Sequence, residues 1–207
     1  MTNIATGAVG AMHGKLVHGR RITILARHAA ELLPKCESVL DVGCGDGALD
    51  AALLAQRPEL KISGVDVLRR PKTFIPVELF DGKVLPVPDK RYDAVMLIDV
   101  LHHTNDPEIL LREACRVAKR GVLIKDHDAQ SGWDRTVLRF MDWVGNASHG
   151  VALPYNYLSM QRWEEIWKSR GLQIRERRSR LKLYPIWARP LFETHMHFMV
   201  WLETTPS

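Results

Sequence analysis

Apolar positions along this chain recur with two different periods, and their alternation lays out the elements. From Arg20 onward, Ile24, Leu25, Ala29, Leu32 and Leu33 fall on one helical face, and the run ends before Pro34. Val39 to Gly47, reading VLDVGCGDG, is a short apolar strand that carries Asp41 and turns through three glycines at alternate positions. A helix follows at once over 48–56, with Leu49, Leu53 and Leu54 inward, until Arg57-Pro58 stops it. Further strands are predicted over Lys61 to Val67 and Ala94 to Ile98. Asp106 caps a helix with Pro107 in its first turn and Ile109, Leu110, Ala114 and Val117 on its inner face. Gly121 is expected to end that helix before a fifth strand over Val122 to Ile124. Trp133, Val137, Phe140, Met141 and Val144 recur at helical spacing; Ser159 then opens a helix that turns Met160, Trp163, Ile166 and Trp167 inward, and Gly171 closes it. Two strands, near 172–184 and 195–204, finish the chain through Pro185 and Pro190. Strands alternating with helices predict a doubly wound α/β domain.

In such a sheet, ligands bind outside the carboxyl ends of the strands, so the residues just after each strand are the candidates for chemistry. Gly43, Gly45 and Gly47 allow positive φ and let a ligand approach bare backbone at the start of the next helix. Asp66 ends the second strand about 20 positions later, the distance at which a βαβ unit sets a carboxylate against a ribose diol. Two charged clusters lie on the same rim: Asp99-Val100-Leu101-His102-His103 after the fourth strand and Lys125-Asp126-His127-Asp128 after the fifth.

Dinucleotide-binding dehydrogenases place G-x-G-x-x-G at such a turn. Here Asp41 precedes the first glycine by two residues and the spacing is G-x-G-x-G, which resembles motif I of the class I S-adenosylmethionine-dependent methyltransferases. Phe80-Asp81-Gly82, Leu85-Pro86 and Tyr92-Asp93-Ala94-Val95 resemble the third and fourth motifs of the small-molecule members, in the same order. The resemblance covers residues 36 to 126. It implies a Rossmann-like sheet of seven strands, mostly parallel with an antiparallel last strand. It also implies S-adenosylmethionine held by Asp41, Gly43, Gly45, Gly47, Asp66, Asp81, Gly82 and Asp99, with Asp66 at the ribose and Asp81 at the adenine. Taken alone, Asp81 would be accounted for equally well by an ordinary Asp-Gly turn; beside the first two motifs the adenine contact is favoured. On this reading residues 1–207 are one domain, with an N-terminal lid over about 1–35 and a substrate cover over about 129–158. Asn146, Tyr155, Asn156 and Tyr157 are its expected acceptor contacts. A hydroxyl or carbon acceptor would also need a base, for which His103 comes ahead of His127 and His102, with Asp99 or Asp126 to orient the ring.

Composition narrows the partners. Apolar residues make up 46% of the 207, and no run approaches the ~20 needed to span a bilayer. The first residues lack a signal-peptide core, so a cytoplasmic protein is expected. Three cysteines without C-x-x-C spacing indicate buried thiols. His195 and His197 share a strand face but lack a third ligand, and no metal is expected. The net charge of +5 is modest and has one dense cluster, Arg175 to Lys182, which reads as edge-protecting charge or as a docking surface for an anionic partner. A small-molecule acceptor is expected rather than nucleic acid, with room for peripheral membrane contact. The rival readings are methyl transfer to a macromolecule or anionic lipid, and a non-catalytic module that binds S-adenosylmethionine.

Overall fold

Strands that are apolar at nearly every position need cover on both faces, and the centre of this molecule is built that way. The computed structural model describes residues 19–146, 154–193 and 195–204, with backbone alone at 144–146 and 190. Its elements are α1 (19–32), β1 (Ser38–Val42), α2 (Ala48–Leu54), β2 (Lys61–Asp66), β3 (Val77–Leu79) and β4 (Tyr92–Ile98), then a 3₁₀ turn at Leu101–His103. After it come α3 (Pro107–Val117), β5 (Ala118–His127), α4 (Gly132–Asn146), α5 (Met160–Ser169), β6 (Leu172–Ser179), α6 (Arg189–Phe192) and β7 (His197–Thr204).

Among the described residues seven strands form one sheet in the order β3-β2-β1-β4-β5-β7-β6. β1 to β5 pair in parallel, and β7 enters between β5 and β6, antiparallel to both. The expected architecture is therefore present. Alternate residues of each strand serve opposite faces. Leu40, Val42, Val95, Leu97, Val122 and Ile124 pack with α3 and with Trp163, Ile166 and Trp167 of α5. Val39, Ala94, Met96 and Leu123 pack with α1, with Leu53 of α2 and with Leu181 and Leu183.

Several boundaries differ from the expectation. α3 ends at Val117, not at Gly121, because β5 already begins at Ala118. Gly121 is a strand residue facing β7, where a Cβ would lie 2.1 Å from the Leu202 carbonyl oxygen. β5 also runs further than its apolar core: Lys125, Asp126 and His127 are strand residues paired with Met199, Phe198 and His197. They are buried, not a charged rim beyond the strand end. β3 is three residues long and was not visible as a pattern. Cys36, Cys44 and Cys115 are free, and only Cys36 is fully buried. No helix among the described residues is long and apolar enough to cross a membrane.

The strand order reverses between β1 and β4. The loops that leave these two strands therefore diverge to opposite sides and open a crevice between them.

Candidate functional site

The crevice floor is the glycine turn after β1. Gly43, Gly45 and Gly47 all have positive φ, at 76, 61 and 78°. The N–H of Gly43 donates to Val65 O at 2.7 Å, which ties the turn to β2. The three glycines are required for different reasons. A Cβ on Gly43 would lie 2.6 Å from Val100 Cγ2, and one on Gly47 would lie 2.6 Å from Ile75 Cγ1. Among the described residues, a Cβ on Gly45 would meet nothing within 4 Å, so Gly45 presents bare backbone to open space. Its N–H donates to Asp66 Oδ2 at 2.8 Å, and Asp66 Oδ1 accepts from Leu68 N at 2.8 Å. That buried carboxylate retains lone pairs for a ligand at the end of β2.

Below the turn lies a group the sequence did not reveal. Asp41 of β1 and Asp50 of α2 are buried with their carboxyls in contact. Neither Asp41 Oδ1 nor either Asp50 oxygen has another partner. Two acceptors in contact need a shared proton: burial and then repulsion from Asp50 push Asp41 well above the usual carboxylate range, while burial pushes Asp50 up to about 7 although its hydrogen bond with Asp41 pulls the other way. Asp50 falls on a helix that the apolar pattern alone had defined, so nothing in the pattern pointed to it.

Asp81 and Gly82 form an exposed turn in which Asp81 Oδ1 accepts from the N–H groups of Lys83 and Val84, each at 2.8 Å. Asp99 is a non-glycine residue with φ 57°, just after β4. Arg21 from α1 and Lys125 from β5 both donate to it. Burial would raise its carboxyl, but these two cations hold it well below its ordinary range. The leader thus reaches the rim through Arg21; residues 1–18 of the expected lid lie outside the described residues.

Beside Asp99 four imidazoles are packed together. His102 lies 4.1 Å from His103 and 4.6 Å from His127 between ring centroids, and His127 lies 4.9 Å from His197. His102 Nδ1 is 2.8 Å from Asp126 Oδ1, and Nε2 faces Asp142 Oδ2 of α4 at 3.4 Å. Burial would lower this ring, yet Asp126, Asp142 and Asp99 together raise it above the usual histidine value. His127 is driven the other way, well below its ordinary value, by burial and then by Lys125. His103 is lowered by burial and by the neighbouring His102, and of the four it alone is only half-buried. The sequence ranked His103 first without seeing that Asp126 pairs with His102; the pair comes from segments 24 residues apart.

The expected acceptor contacts divide. Tyr157 stacks over His102 at 5.7 Å and its hydroxyl donates to Asp142, so it roofs the cluster. Asn156 has a holding role: its amide donates to Thr104 O and Asn105 O, both at 3.3 Å, and its N–H donates to His102 O. Tyr155 is half-buried with Arg139 over its ring at 4.7 Å. The side chain of Asn146 lies outside the described residues. The aromatic stripe of α4 does not all pack inward: Val137 and Leu138 are buried, whereas Trp133 and Phe140 are exposed.

Among the described residues, sets able to hold a metal form at this rim and not at the last strand. His195 is 3.0 Å from Asp134, and His197 is buried with Nε2 3.0 Å from Phe192 O. Among the described residues, Asp99, His102 and His127 form one set with ligand atoms within 4.8 Å, and His102, His103 and Asp142 form another. In the first, Lys125 and Arg21 already occupy the carboxylate. The basic segment on the edge strand β6 is paired locally, Arg175 with Glu203, Arg177 with Glu164, and Arg178 with Glu31 and Glu176.

Residues 17–177 match a family model described as a methyltransferase domain. A fatty-acid O-methyltransferase from Mycolicibacterium smegmatis is 32% identical over 51% of this chain and 42% of its own. A ubiquinone biosynthesis O-methyltransferase from Proteus mirabilis is 29% identical over 49% of this chain and 44% of its own. The chain thus spans less than half the length of these curated relatives. Among solved structures, a SAM-dependent methyltransferase from Thermotoga maritima superposes with a TM-score of 0.61 at 19% identity, covering 95% of this chain and 96% of that one.

Proposed function

The chain belongs to the methyltransferase domain family, and on that premise we propose that it transfers the methyl group of S-adenosylmethionine to a small-molecule acceptor at the β1–β4 crevice. The open space over Gly45 carries this reading. A ligand can approach the Gly45 backbone, where a Cβ would meet no atom of the described residues within 4 Å, and the Asp66 carboxylate stands at its edge. These residues fit the cofactor: Gly43 to Gly47 would face its methionyl part, Asp66 its ribose hydroxyls, and Asp81-Gly82 its adenine. Asp41 acts from below, as half of the proton-sharing pair under the turn. Asp99 lines the methyl end.

When bound, the sulfonium supplies an electrophilic methyl and a neutral thioether leaving group. The chain's own residues then have to align the acceptor, exclude water and remove a proton where the nucleophile is a hydroxyl. The relatives from Mycolicibacterium smegmatis and Proteus mirabilis are both O-methyltransferases; an oxygen acceptor is the reading we adopt, and a base is needed where that oxygen belongs to a hydroxyl and not to a carboxylate. His103 takes the proton. It is neutral at physiological pH and stands on the open side of the cluster, whereas His127 is buried beside Lys125. His102, held by Asp126 and Asp142, which raise it above the usual histidine value, is a positioning residue that sets the basicity of His103. Tyr157, fixed to Asp142, closes the acceptor side.

The test is calorimetry with S-adenosylhomocysteine, together with turnover on a panel of phenols, enols and hydroxy acids. Asp66→Ala should weaken S-adenosylhomocysteine by ~10-fold or more, because charge-assisted hydrogen bonds to the diol are lost. Unchanged affinity would overturn the cofactor assignment. Tight binding with no turnover on any acceptor would favour a non-catalytic binding module.

A further inference from the structure

The outer surface of the substrate cover sorts its residues in a way the methyl-transfer site does not require. Of the six tryptophans, Trp163, Trp167 and Trp201 are buried, while Trp133, Trp143 and Trp187 are 66, 58 and 73% exposed. The exposed three stand on two segments, α4 and the turn at 185–188 that leads into α6. These segments are joined from below. Val137 and Leu138 of α4 form a small core with Met196, against which Met141 and Phe192 pack. Asp134 of α4 is also bonded to His195. Phe140, Ile186 and Leu191 add further exposed apolar surface to the same two segments.

Charge on these segments is sorted as well. Asp134, Asp142 and Glu193 turn inward, to His195, to Tyr157 and to the N–H groups of Leu183 and Tyr184. Arg135, Arg139, Arg180 and Lys182 are exposed. No exposed acidic side chain occurs over 131–143 or 180–193. The outer surface is therefore aromatic and cationic at once.

An apolar surface of this extent marks an interaction site. A second copy fits it poorly, since an isologous contact would pair this surface with itself, and over 131–143 and 180–193 it exposes arginine and lysine with no acidic side chain to meet them. A bilayer bearing anionic headgroups answers both features: indole rings settle at headgroup depth, arginines meet phosphates, and an amphipathic helix lies in the interface plane. We propose that α4 and the 185–192 segment dock the protein on an anionic phospholipid membrane. Tyr157, stacked on His102 and bonded to Asp142 of α4, places the histidine cluster directly under this surface. The acceptor class implied by this placement, resting on the methyl-transfer reading, is an amphiphile whose hydroxyl head rises from the bilayer into the crevice.

Co-sedimentation with lipid vesicles tests the docking without any turnover. The wild type should bind vesicles rich in phosphatidylglycerol and bind pure phosphatidylcholine weakly. Replacing Trp133, Trp143 and Trp187 together by alanine should lower the partition by ~10-fold or more, and R135E should weaken the preference for phosphatidylglycerol. Melting temperature and S-adenosylhomocysteine affinity should stay at wild-type values in both variants, since none of these residues lies in the crevice. Absence of vesicle binding, or equal binding by the triple-alanine variant, would overturn the proposal. So would a concentration-dependent dimer in sedimentation velocity that the alanines dissolve. Vesicle binding that persists in a protein without methyl-transfer activity would leave docking standing and remove only the acceptor class.

Discussion

Gly45→Ala separates the cofactor surface from the fold more cleanly than any other single change in the turn. Placing an L-residue at φ 61° costs roughly 1–2 kcal/mol. No atom within 4 Å opposes the new methyl group, so no packing cost is added. For a chain of this size that corresponds to a fall in melting temperature of about 2–8 °C. Gly43→Ala carries similar strain at φ 76° and also forces a Cβ to 2.6 Å from Val100 Cγ2. Valine is stiff at χ1, so an overpacking cost of about 1–3 kcal/mol is added. The apo protein should therefore lose more stability in Gly43→Ala than in Gly45→Ala. S-adenosylhomocysteine affinity should nevertheless fall by ~10-fold or more in Gly45→Ala, because its methyl group occupies the space assigned to the cofactor. Gly45→Asn is the control for backbone strain: asparagine tolerates the left-handed region but fills the same space, so it should melt closer to wild type and bind no better than the alanine variant. Differential scanning calorimetry and titration calorimetry on the three proteins provide the readouts. Wild-type affinity in both Gly45 variants would show that the open space is solvent and not a binding surface.

Three further outcomes arise from the charge arrangement. His103→Ala should lower kcat by ~10²–10⁴ with cofactor affinity kept; near wild-type kcat across the pH range would end its role as base. His102→Gln should move the acidic limb of the kcat profile upward toward the ordinary histidine value, because His103 loses the charged neighbour that lowers it; a purely structural role for His102 would leave the limb in place. Asp50 is raised to about 7, above its unfolded value, so the stability it contributes is complete at low pH and is lost as pH rises through about 7. Asp50→Asn should flatten the fall in melting temperature between about pH 4 and pH 7, and parallel wild-type and variant curves would refute the shared proton.

Much of the fold was legible because its signals are local. The run from Val39 to Gly47, the cap at Asp106, the stop at Pro34 and the apolar strand after Tyr92 each depend on residues a few positions apart, and the structure places strands, turns and helices there. The glycines were readable as a group, since only a positive-φ turn or a close approach calls for three in five residues. Chain order did not show which long-range partners these elements acquire. Lys125, Asp126 and His127 look like an exposed charged stretch, and only the insertion of β7 beside β5 makes them interior. A polar run can continue a buried strand when its charges meet partners such as Asp99 and His102, supplied by other strands and turns. Arg21 reaches Asp99 across 78 residues, and Asp41 meets Asp50 from a helix whose apolar pattern marks a face but not its neighbour. The same limit applies to α4: helical spacing showed that Trp133, Val137 and Phe140 recur, but a period cannot say which positions the rest of the chain will cover. Packing buried Val137 and left the two aromatic rings outside.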